Sequence, residues 1–302
     1  MPVTIEKTEW GGWPGCYRMS NGEVELVITS DVGPRVMRYG FVGGQNLFLE
    51  IESQKGRGGE KDFQGRGGHR IWTAPERFPR TYAPDNRPVE IEAQGSTLVA
   101  TAPVEPETGL RKKILLRLAS AGTAVSLVHT IENTLAWPIE VAPWALTMMA
   151  PGGVGMAGFP PRGTHPEMLA PTNPLVMWAF SDLSDPRWQF TQKHLILRHD
   201  AARSSPTKLG LFSEKTWGAY LLQGELFVKR YEAEAGKPYP DMGASFEMFA
   251  NGDTLELETL GPLTSLDTGE SVDHAERWTL HRGVALSQWS DQELDRVVGA
   301  LL

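Results

Sequence analysis

The sequence predicts an all-β protein, with antiparallel strands building one large domain over residues 1–302. Short runs alternate apolar and polar residues, as Val24, Leu26 and Ile28 alternate with glutamates, and a period of two places each set on one face of a strand. The chain contains 32 Gly and 22 Pro, which suits many turns between short strands. No run with the helical 3.6-residue period interrupts the strands between residues 88 and 149.

The predicted strands fall into three blocks. Residues 1–50 read as a meander punctuated by Gly and Asn-Gly, and residues 88–149 read as a second meander within one large antiparallel sheet. Residues 150–207 are rich in proline and are expected to form crossover loops, and strands resume from Lys208. Ser290–Glu293 has the pattern of a capping box, which predicts one short C-terminal helix packed on the sheets.

A hairpin is predicted around Asn251-Gly252, which lies between two alternating runs. A two-residue loop there gives one wholly apolar face and places Glu247 opposite Glu256, with Glu258 on the same face. Like charges directly opposite each other on a ladder are unfavourable. The carboxylate face is therefore interpreted either as a solvated surface or as a binding face.

Residues 52–68 contain Gly-Arg-Gly-Gly twice and no Gly-Lys-Ser/Thr, so the segment is not a phosphate-binding loop. It is expected to be a long flexible surface loop, with a lid over a site as the alternative.

Polar and aromatic residues are dense in the segment directly after this loop. If residues 68–73 form a strand, His69 and Ile71 share one face while Arg70 and Trp72 share the other. A guanidinium beside an indole can hold a hydroxylated ligand by hydrogen bonding and stacking; the alternative is a surface arginine over the edge of the core. Three further candidates for substrate binding follow within this segment: Glu76, Tyr82 and Asp85.

Composition excludes several classes of function. The formal net charge of −8 argues against nucleic acid as a partner. A single cysteine, Cys16, excludes an internal disulfide framework and suits a reducing compartment. No segment approaches the roughly 20 apolar residues that span a bilayer, and residues 1–9 lack a secretory pattern. We expect a cytoplasmic protein with no membrane partner.

The remaining chemistry is acid/base catalysis by Glu and His, or binding without catalysis. The sequence lacks Gly-x-Ser-x-Gly, His-Glu-x-x-His and Cys-x-x-Cys motifs, and the spacing of His194 and His199 is not diagnostic of a metal site. No metal and no cofactor is predicted. Ten tryptophans indicate either a wide core or a concave face on which the C–H faces of a sugar stack.

Residues 255–280 resemble the C-terminal signature of the galactose mutarotase-like (aldose 1-epimerase) superfamily. The resemblance comprises the Leu-x-Leu-Glu-Thr strand, a turn like Pro-Gly-Glu and a final strand. Gly68–Trp72 and Tyr239–Asp241 are similar to segments of other sugar-mutarotase-like proteins. The resemblance implies a large antiparallel β super-sandwich with a concave face that binds a small-molecule sugar.

The resemblance also implies roles for individual residues. Glu258 corresponds to the general base, and Arg70 corresponds to the substrate-holding arginine. Trp144 occupies the place of the family's acidic histidine, so His69 is the candidate substitute acid and His274 the second candidate.

In the implied reaction, Glu258 removes the proton of the anomeric hydroxyl while the acid protonates the ring oxygen, so that the ring opens and recloses on its other face. Glu247 and Glu256 are expected to make Glu258 a stronger base, and Lys229 to balance their charge. The alternatives are a non-catalytic carbohydrate-binding protein and a sugar-processing lyase or hydrolase, which would need two carboxylates facing each other across a cleft.

Overall fold

The computed structural model describes residues 2–302, which form 21 β-strands, one α-helix and three short 3-10 helices. In chain order the strands are β1 (Thr4–Trp10), β2 (Trp13–Ser20), β3 (Val24–Ile28), β4 (Val36–Phe41), β5 (His69–Ala74), β6 (Glu90–Gln94), β7 (Thr97–Thr101), β8 (Leu110–Leu118), β9 (Val125–Asn133), β10 (Ile139–Met149), β11 (Val154–Gly158), β12 (Leu175–Met177), β13 (Trp188–Phe190), β14 (His194–Arg198), β15 (Thr207–Leu211), β16 (Lys215–Leu222), β17 (Glu225–Glu232), β18 (Phe246–Ala250), β19 (Leu255–Leu260), β20 (Thr264–Leu266) and β21 (Ser271–Arg282). The helix α1 is Asp291–Val297, and the 3-10 helices are Glu52–Gln54, Arg80–Tyr82 and Gly299–Leu301.

The strands form two antiparallel sheets, which confirms the predicted all-β class. The first sheet has the order β1-β2-β3-β4-β5-β10-β19-β18-β15-β12, with β20 paired to β10. The second sheet has the order β13-β14-β11-β16-β17-β21-β9-β8-β7-β6. Within residues 2–302, no helix has the length and apolar character needed to cross a membrane.

The main core lies between the two sheets and is rich in aromatic rings. Phe48 and Tyr39, from the first sheet's side, contact Phe227 and Trp278 of the second sheet, with ring centroids 5.5 to 6.1 Å apart. Edge-to-face and offset contacts of this kind add to the energy of apolar burial. Some of the ten tryptophans therefore fill the sandwich, as one of the two sequence interpretations requires.

The meander predicted for residues 88–149 is wrong in its last strand. Strands β6 to β9 are neighbours in the second sheet, but β10 crosses to the first sheet and lies between β5 and β19. Val141–Met149 is buried on both strand faces, whereas β8 and β9 alternate between buried and more exposed residues. A strand without a polar face suits the centre of a sheet that is covered on both sides.

The predicted hairpin is formed by β18 and β19, but its turn is centred one residue later. The Asn251 N–H donates to the carbonyl of Thr254 at 3.1 Å, and Asn251 Oδ1 accepts from the N–H groups of Asp253 and Thr254 at 2.8 and 3.0 Å. Gly252 and Asp253 are therefore the central turn residues. An Asn side chain that closes a turn in this way mimics a backbone turn.

The register of the hairpin consequently differs by two residues from the predicted one. Glu247 lies opposite Glu258 rather than opposite Glu256. Because side chains alternate with a period of two, this shift leaves every residue on its predicted face. The apolar face and the carboxylate face both form as expected.

The glycine-rich segment 52–68 is tied to the first sheet by buried Arg35. Its guanidinium donates to the carbonyls of Gly65, Gly67 and Gln64 at 2.6 to 3.2 Å. Phe63 packs its ring against the first sheet, 5.1 Å from Trp72. These contacts favour a segment that is fixed to the first sheet over a flexible loop or a moving lid.

The predicted C-terminal helix forms as α1. The Ser290 hydroxyl accepts a hydrogen bond from the Glu293 N–H, as expected for an N-cap. Leu294 and Val298 pack in a second apolar cluster with Val228 on the outer side of the second sheet.

Candidate functional site

A cavity of about 350 Å³ opens on the face of the first sheet that points away from the second sheet. It lies over β5, β10 and β19, and a loop ahead of β15 forms its far wall. Its lining combines aromatic rings, carboxylates and two cations: Arg70, Trp72, Glu76, Tyr82, Trp144, Leu146, Trp178, Phe180, Pro206, Lys208, Phe249, Glu256 and Glu258.

Strand alternation explains which side chains reach this cavity. On β19, Leu257 points into the core between the sheets, while Glu256 and Glu258 point into the cavity. On β5, Arg70 and Trp72 point into the cavity, as the sequence predicted for these two residues. One face of the first sheet therefore gathers residues from separate parts of the chain.

Glu258 lies at the buried end of the cavity. Its Oε2 accepts hydrogen bonds from Trp144 Nε1 at 2.6 Å and from Lys208 Nζ at 2.8 Å. Its Oε1 is buried and has no hydrogen-bond partner within residues 2–302. Two donors on one oxygen stabilise negative charge there, and the other oxygen is left to accept a proton or a hydrogen bond from a ligand.

Lys208 links Glu258 to Glu247 beneath the cavity. Its Nζ lies 2.6 Å from Glu247 Oε2 and within 4.6 Å of the ring centroids of Trp144 and Trp178. Burial alone would lower the pKa of Lys208, but the charges of Glu247 and Glu258 outweigh it and raise that pKa. Burial raises the pKa of Glu247 well above its usual range, and Glu258 adds to this effect against the opposing charge of Lys208.

Lys208 is a site residue that the sequence analysis does not predict, although the sequence contains an indication of it. The three carboxylates predicted for one face need a cation if that face is buried. Lys208 directly precedes the apolar run Leu209-Gly210-Leu211 of β15, which is unusual for a solvated lysine. The sequence instead predicts Lys229 as the cation that balances these carboxylates.

Glu256 differs from Glu258 in its environment. It is half-buried in the cavity wall, with no hydrogen-bonding donor from the described part of the chain. Burial, followed by the charge of Glu258, raises the pKa of Glu256 to about 7, against the opposing charges of Arg70 and Lys208. A substantial fraction of Glu256 is therefore protonated near neutral pH.

Arg70 presents unsatisfied donors at the cavity wall. Its side chain is 3% exposed, and its guanidinium lies 4.1 Å from the ring centroid of Trp72 and 5.4 Å from that of Phe63. Its Nε and Nη1 have no hydrogen-bond partner within residues 2–302. Burial, followed by the charge of Arg35, lowers the pKa of Arg70 to about 10. Buried donors are nearly always satisfied, so this guanidinium is suited to hold a ligand.

Aromatic rings form much of the remaining lining. The centroid of Trp72 lies 5.2 Å from that of Trp144 and 5.3 Å from that of Tyr82. The Tyr82 hydroxyl donates to Glu76, and burial followed by this hydrogen bond raises the pKa of Tyr82 to about 12. Trp178, Phe180 and Phe249 complete the set.

Neither histidine proposed as the acid reaches the cavity, so both assignments are wrong. His69 points into the interior between the sheets, where its Nδ1 lies 2.8 Å from Thr147 Oγ1 and its Nε2 lies 3.0 Å from His129 Nε2. His274 Nε2 lies 2.8 Å from Thr259 Oγ1 in the same interior. His69 neighbours Arg70 on a strand, so it must face the opposite side.

Lys229 also lies in this interior and not beside the cavity carboxylates. Its Nζ is 2.8 Å from Glu276 Oε1. Glu276, His69 and His129 present possible metal ligands within 4.8 Å of one another. Lys229 already supplies the positive charge that balances Glu276, and a divalent cation would leave this fully buried cluster with excess positive charge.

Two more predicted site residues lie outside the lining. Asp85 accepts a hydrogen bond from Arg35 Nε at 2.6 Å and helps to fix segment 52–68. Glu247 is fully buried and is linked to the cavity through Lys208. The structure thus brings together seven of the predicted residues, namely Arg70, Trp72, Glu76, Tyr82, Trp144, Glu256 and Glu258.

A larger cavity, of about 1060 Å³, lies on the second sheet along β9, β17 and β21. Tyr231 is the single aromatic residue in its lining within residues 2–302. The smaller cavity is the stronger candidate because it combines stacked rings, paired carboxylates and an unsatisfied guanidinium in one place.

Comparison of the sequence with protein-family models and with curated proteins gives no match. Among solved structures, the chain is similar to a galactose mutarotase-like protein from Lactobacillus casei, with a TM-score of 0.58 and 11% identity over 88% of this chain and 100% of that one. A galactose mutarotase related enzyme from Lactobacillus acidophilus gives a TM-score of 0.56 and 10% identity over 89% of this chain and 98% of that one. A galactose mutarotase-like protein from Clostridium acetobutylicum gives a TM-score of 0.53 and 11% identity over 93% of this chain and 99% of that one. These similarities show that the chain has the galactose mutarotase-like fold.

Proposed function

We propose that the chain binds a sugar in the cavity over β5, β10 and β19 and interconverts its anomers by acid/base ring opening. One observation carries the proposal: two carboxyl groups, Glu256 and Glu258, share a cavity wall in different environments, since Glu258 accepts hydrogen bonds from Trp144 and Lys208 while burial raises the pKa of Glu256 to about 7. Ring opening needs a base at the anomeric hydroxyl and an acid at the ring oxygen. This carboxyl pair supplies both.

The proposed reaction uses the carboxyl atoms of Glu258 and Glu256 that have no hydrogen-bond partner within residues 2–302. Glu258 Oε1 takes the proton of the anomeric hydroxyl, and the carboxyl group of Glu256 donates its proton to the ring oxygen. The bond between the anomeric carbon and the ring oxygen breaks, which gives an open-chain aldehyde. Rotation about the adjacent carbon–carbon bond, followed by the reverse proton transfers, closes the ring as the other anomer and restores both groups.

The other lining residues bind and orient the sugar. Arg70 donates hydrogen bonds from its unsatisfied nitrogens to sugar hydroxyls. Trp72 and Trp144 offer apolar ring surface to the C–H groups of the pyranose. Glu76, whose carboxylate accepts from Tyr82, is placed to accept from hydroxyls near the mouth of the cavity.

The test is anomerisation of freshly dissolved α-anomers, followed by polarimetry or NMR across a panel of neutral aldoses. The chain is expected to accelerate the reaction above the spontaneous rate, and Glu258→Gln is expected to lower that acceleration about 100-fold or more, as for loss of a general base. Glu232→Gln, an exposed change on β17, is the matched control. A fully active Glu258→Gln variant would overturn the assignment.

A second candidate function is sugar binding without catalysis. It is favoured by the indole of Trp144, which donates to Glu258 from the place of the expected acid. In this case titration with sugars gives saturable binding and anomerisation stays at the spontaneous rate. Binding that is lost in an Arg70→Ala variant would then support the second function.

A further inference from the structure

Three arginines lie in one row across the outer face of the second sheet. This arginine row consists of Arg230 on β17, Arg277 on β21, Ser126 on β9 and Arg117 on β8, and each of these residues lies directly opposite the next. The side chains point outward because Trp278, the neighbour of Arg277, packs in the core between the sheets. Neighbouring strands are about 4.8 Å apart, so the row is roughly 15 Å long. Arg230, Arg277 and Ser126 also line the larger cavity on this sheet.

No carboxylate balances the charges of the arginine row. Within residues 2–302, none of its three guanidinium groups forms an ion pair. The outward-facing residues that flank the row within the same strands are Leu115, Val128, Val228, Glu232, Ala275 and Thr279. Glu232 is the single acidic residue among them. Like charges directly opposite each other destabilise a ladder, so an uncompensated row in a chain of net charge −8 is suited to bind an anion.

Arg230 is half-buried and fixed in place by two hydrogen bonds. Its Nη2 donates to the carbonyl of Leu301 at 2.7 Å, and its Nη1 donates to Thr279 Oγ1 at 3.4 Å. A guanidinium has five N–H donors, so the others remain for a ligand. Burial, followed by the charge of Arg277, lowers the pKa of Arg230. Arg277 itself is exposed, and an anion between the two guanidinium groups would remove their repulsion.

We infer that the arginine row binds a ligand with several phosphoryl groups, one held between Arg230 and Arg277 and the next extending past Ser126 towards Arg117. A phosphoryl group carries up to two negative charges, so it balances two cations. Guanidinium groups bind phosphate oxygens through paired hydrogen bonds. A linear ligand follows because the row is straight. This site lies on the other sheet from the cavity over β5, β10 and β19, and it does not depend on the function proposed for that cavity.

The experiment is isothermal titration of the full chain, at low ionic strength, with inorganic phosphate, tripolyphosphate and ATP. Affinity is expected to rise from phosphate to tripolyphosphate, because the longer chain contacts more of the row. Binding should weaken as salt is added, since salt screens exposed charges. Tighter binding of ATP than of tripolyphosphate would identify a nucleoside triphosphate as the ligand class, and equal or weaker binding would identify a condensed phosphate without a base.

Three variants test the row itself. Arg277→Gln removes the central cation and should lower the affinity for tripolyphosphate about tenfold or more, as for loss of a charge-assisted contact. Arg117→Gln should weaken tripolyphosphate more than inorganic phosphate, because only the longer ligand extends that far. Glu232→Gln should strengthen binding, because it removes the single carboxylate that flanks the row.

Two control variants make the result specific. Arg111→Gln removes another arginine of β8, which already pairs with Glu132 at 2.7 Å, and should change the affinity little. Arg70→Ala removes the unsatisfied guanidinium of the other cavity and should leave tripolyphosphate binding intact. Absence of tripolyphosphate binding, an unchanged affinity in Arg277→Gln, or loss of binding in Arg70→Ala would each overturn the inference.

Discussion

Glu256 and Glu258 show how one strand can present two carboxyl groups with different chemistry. They lie two residues apart, so both side chains reach the same face. Glu258 is fully buried and receives hydrogen bonds from Trp144 and Lys208, whereas Glu256 is half-buried and receives none from the described residues. Pairs of titratable groups whose environments differ in this way commonly divide the acid and base roles.

The acid role proposed for Glu256 predicts the direction of the pH dependence. The acid must be protonated, so catalysed anomerisation should fall as the pH rises through about 7, the raised pKa of Glu256. Glu256→Gln removes the proton donor and should lower the catalysed rate about 100-fold or more. The measurement is the anomerisation rate on both sides of this pH, after subtraction of the spontaneous rate. A descending limb that persists in Glu256→Gln, while Glu232→Gln behaves as wild type, would contradict the role.

At the residue scale, the sequence predicted the cavity carboxylates and three of the lining rings, Trp72, Tyr82 and Trp144. It did not predict Lys208 or the other three rings, Trp178, Phe180 and Phe249. Alternation along β5 placed Arg70 and Trp72 together, and the same rule excludes His69 from their face. Lys208 could not be assigned by alternation alone, because its contact with Glu258 depends on how β15 and β19 flank β18 in the sheet. That order follows from long-range pairing.

At the element scale, the hairpin of β18 and β19 depends on the side chain of Asn251. Its Oδ1 accepts two backbone N–H groups in the turn. Asn251→Ala removes both hydrogen bonds and should lower the free energy of unfolding by about 1–3 kcal/mol, given roughly 0.5–1.5 kcal/mol for each. Urea unfolding measures the change. Asn251→Asp keeps an acceptor oxygen, so its free energy of unfolding should stay close to that of the wild type. Equal losses of stability in both variants would contradict a stabilising role for this acceptor.

Residues 150–207 contain strands β11 to β14, although the sequence predicts only crossover loops there. For β11 the structure shows why the sequence pattern fails. β11 contains Gly155 and Gly158, which weaken the strand pattern in the sequence. A Cβ atom at Gly158 would lie 2.5 Å from Trp217 Nε1, and one at Gly155 would lie 2.9 Å from Leu255 Cδ2. These glycines are required by neighbours that are distant in sequence, so local pattern could not identify the strand.

At the scale of the whole molecule, a buried polar network joins the two sheets. Lys229 belongs to the second sheet, yet its Nζ donates to the carbonyls of Ala145 and Leu257 in the first sheet at 3.1 and 3.2 Å. It also lies 2.8 Å from Glu276 Oε1. Burial alone would raise the pKa of Glu276, but Lys229 and His129, whose Nε2 lies 3.6 Å from Glu276 Oε2, outweigh it and hold that pKa well below its usual range.

This network makes Lys229 and Glu276 depend on each other for stability. Lys229→Met leaves the Glu276 carboxylate buried without its cation and should lower the free energy of unfolding by about 3–5 kcal/mol. Adding Glu276→Gln removes the unpaired charge but keeps an acceptor for Trp278 Nε1, which donates to Glu276 at 3.1 Å. The double variant should therefore recover most of the loss in urea or thermal unfolding, because a buried ion pair contributes little beyond a matched neutral pair. A double variant no more stable than Lys229→Met would mean that the hydrogen bonds from Lys229 to the first sheet, rather than its charge, hold the two sheets together.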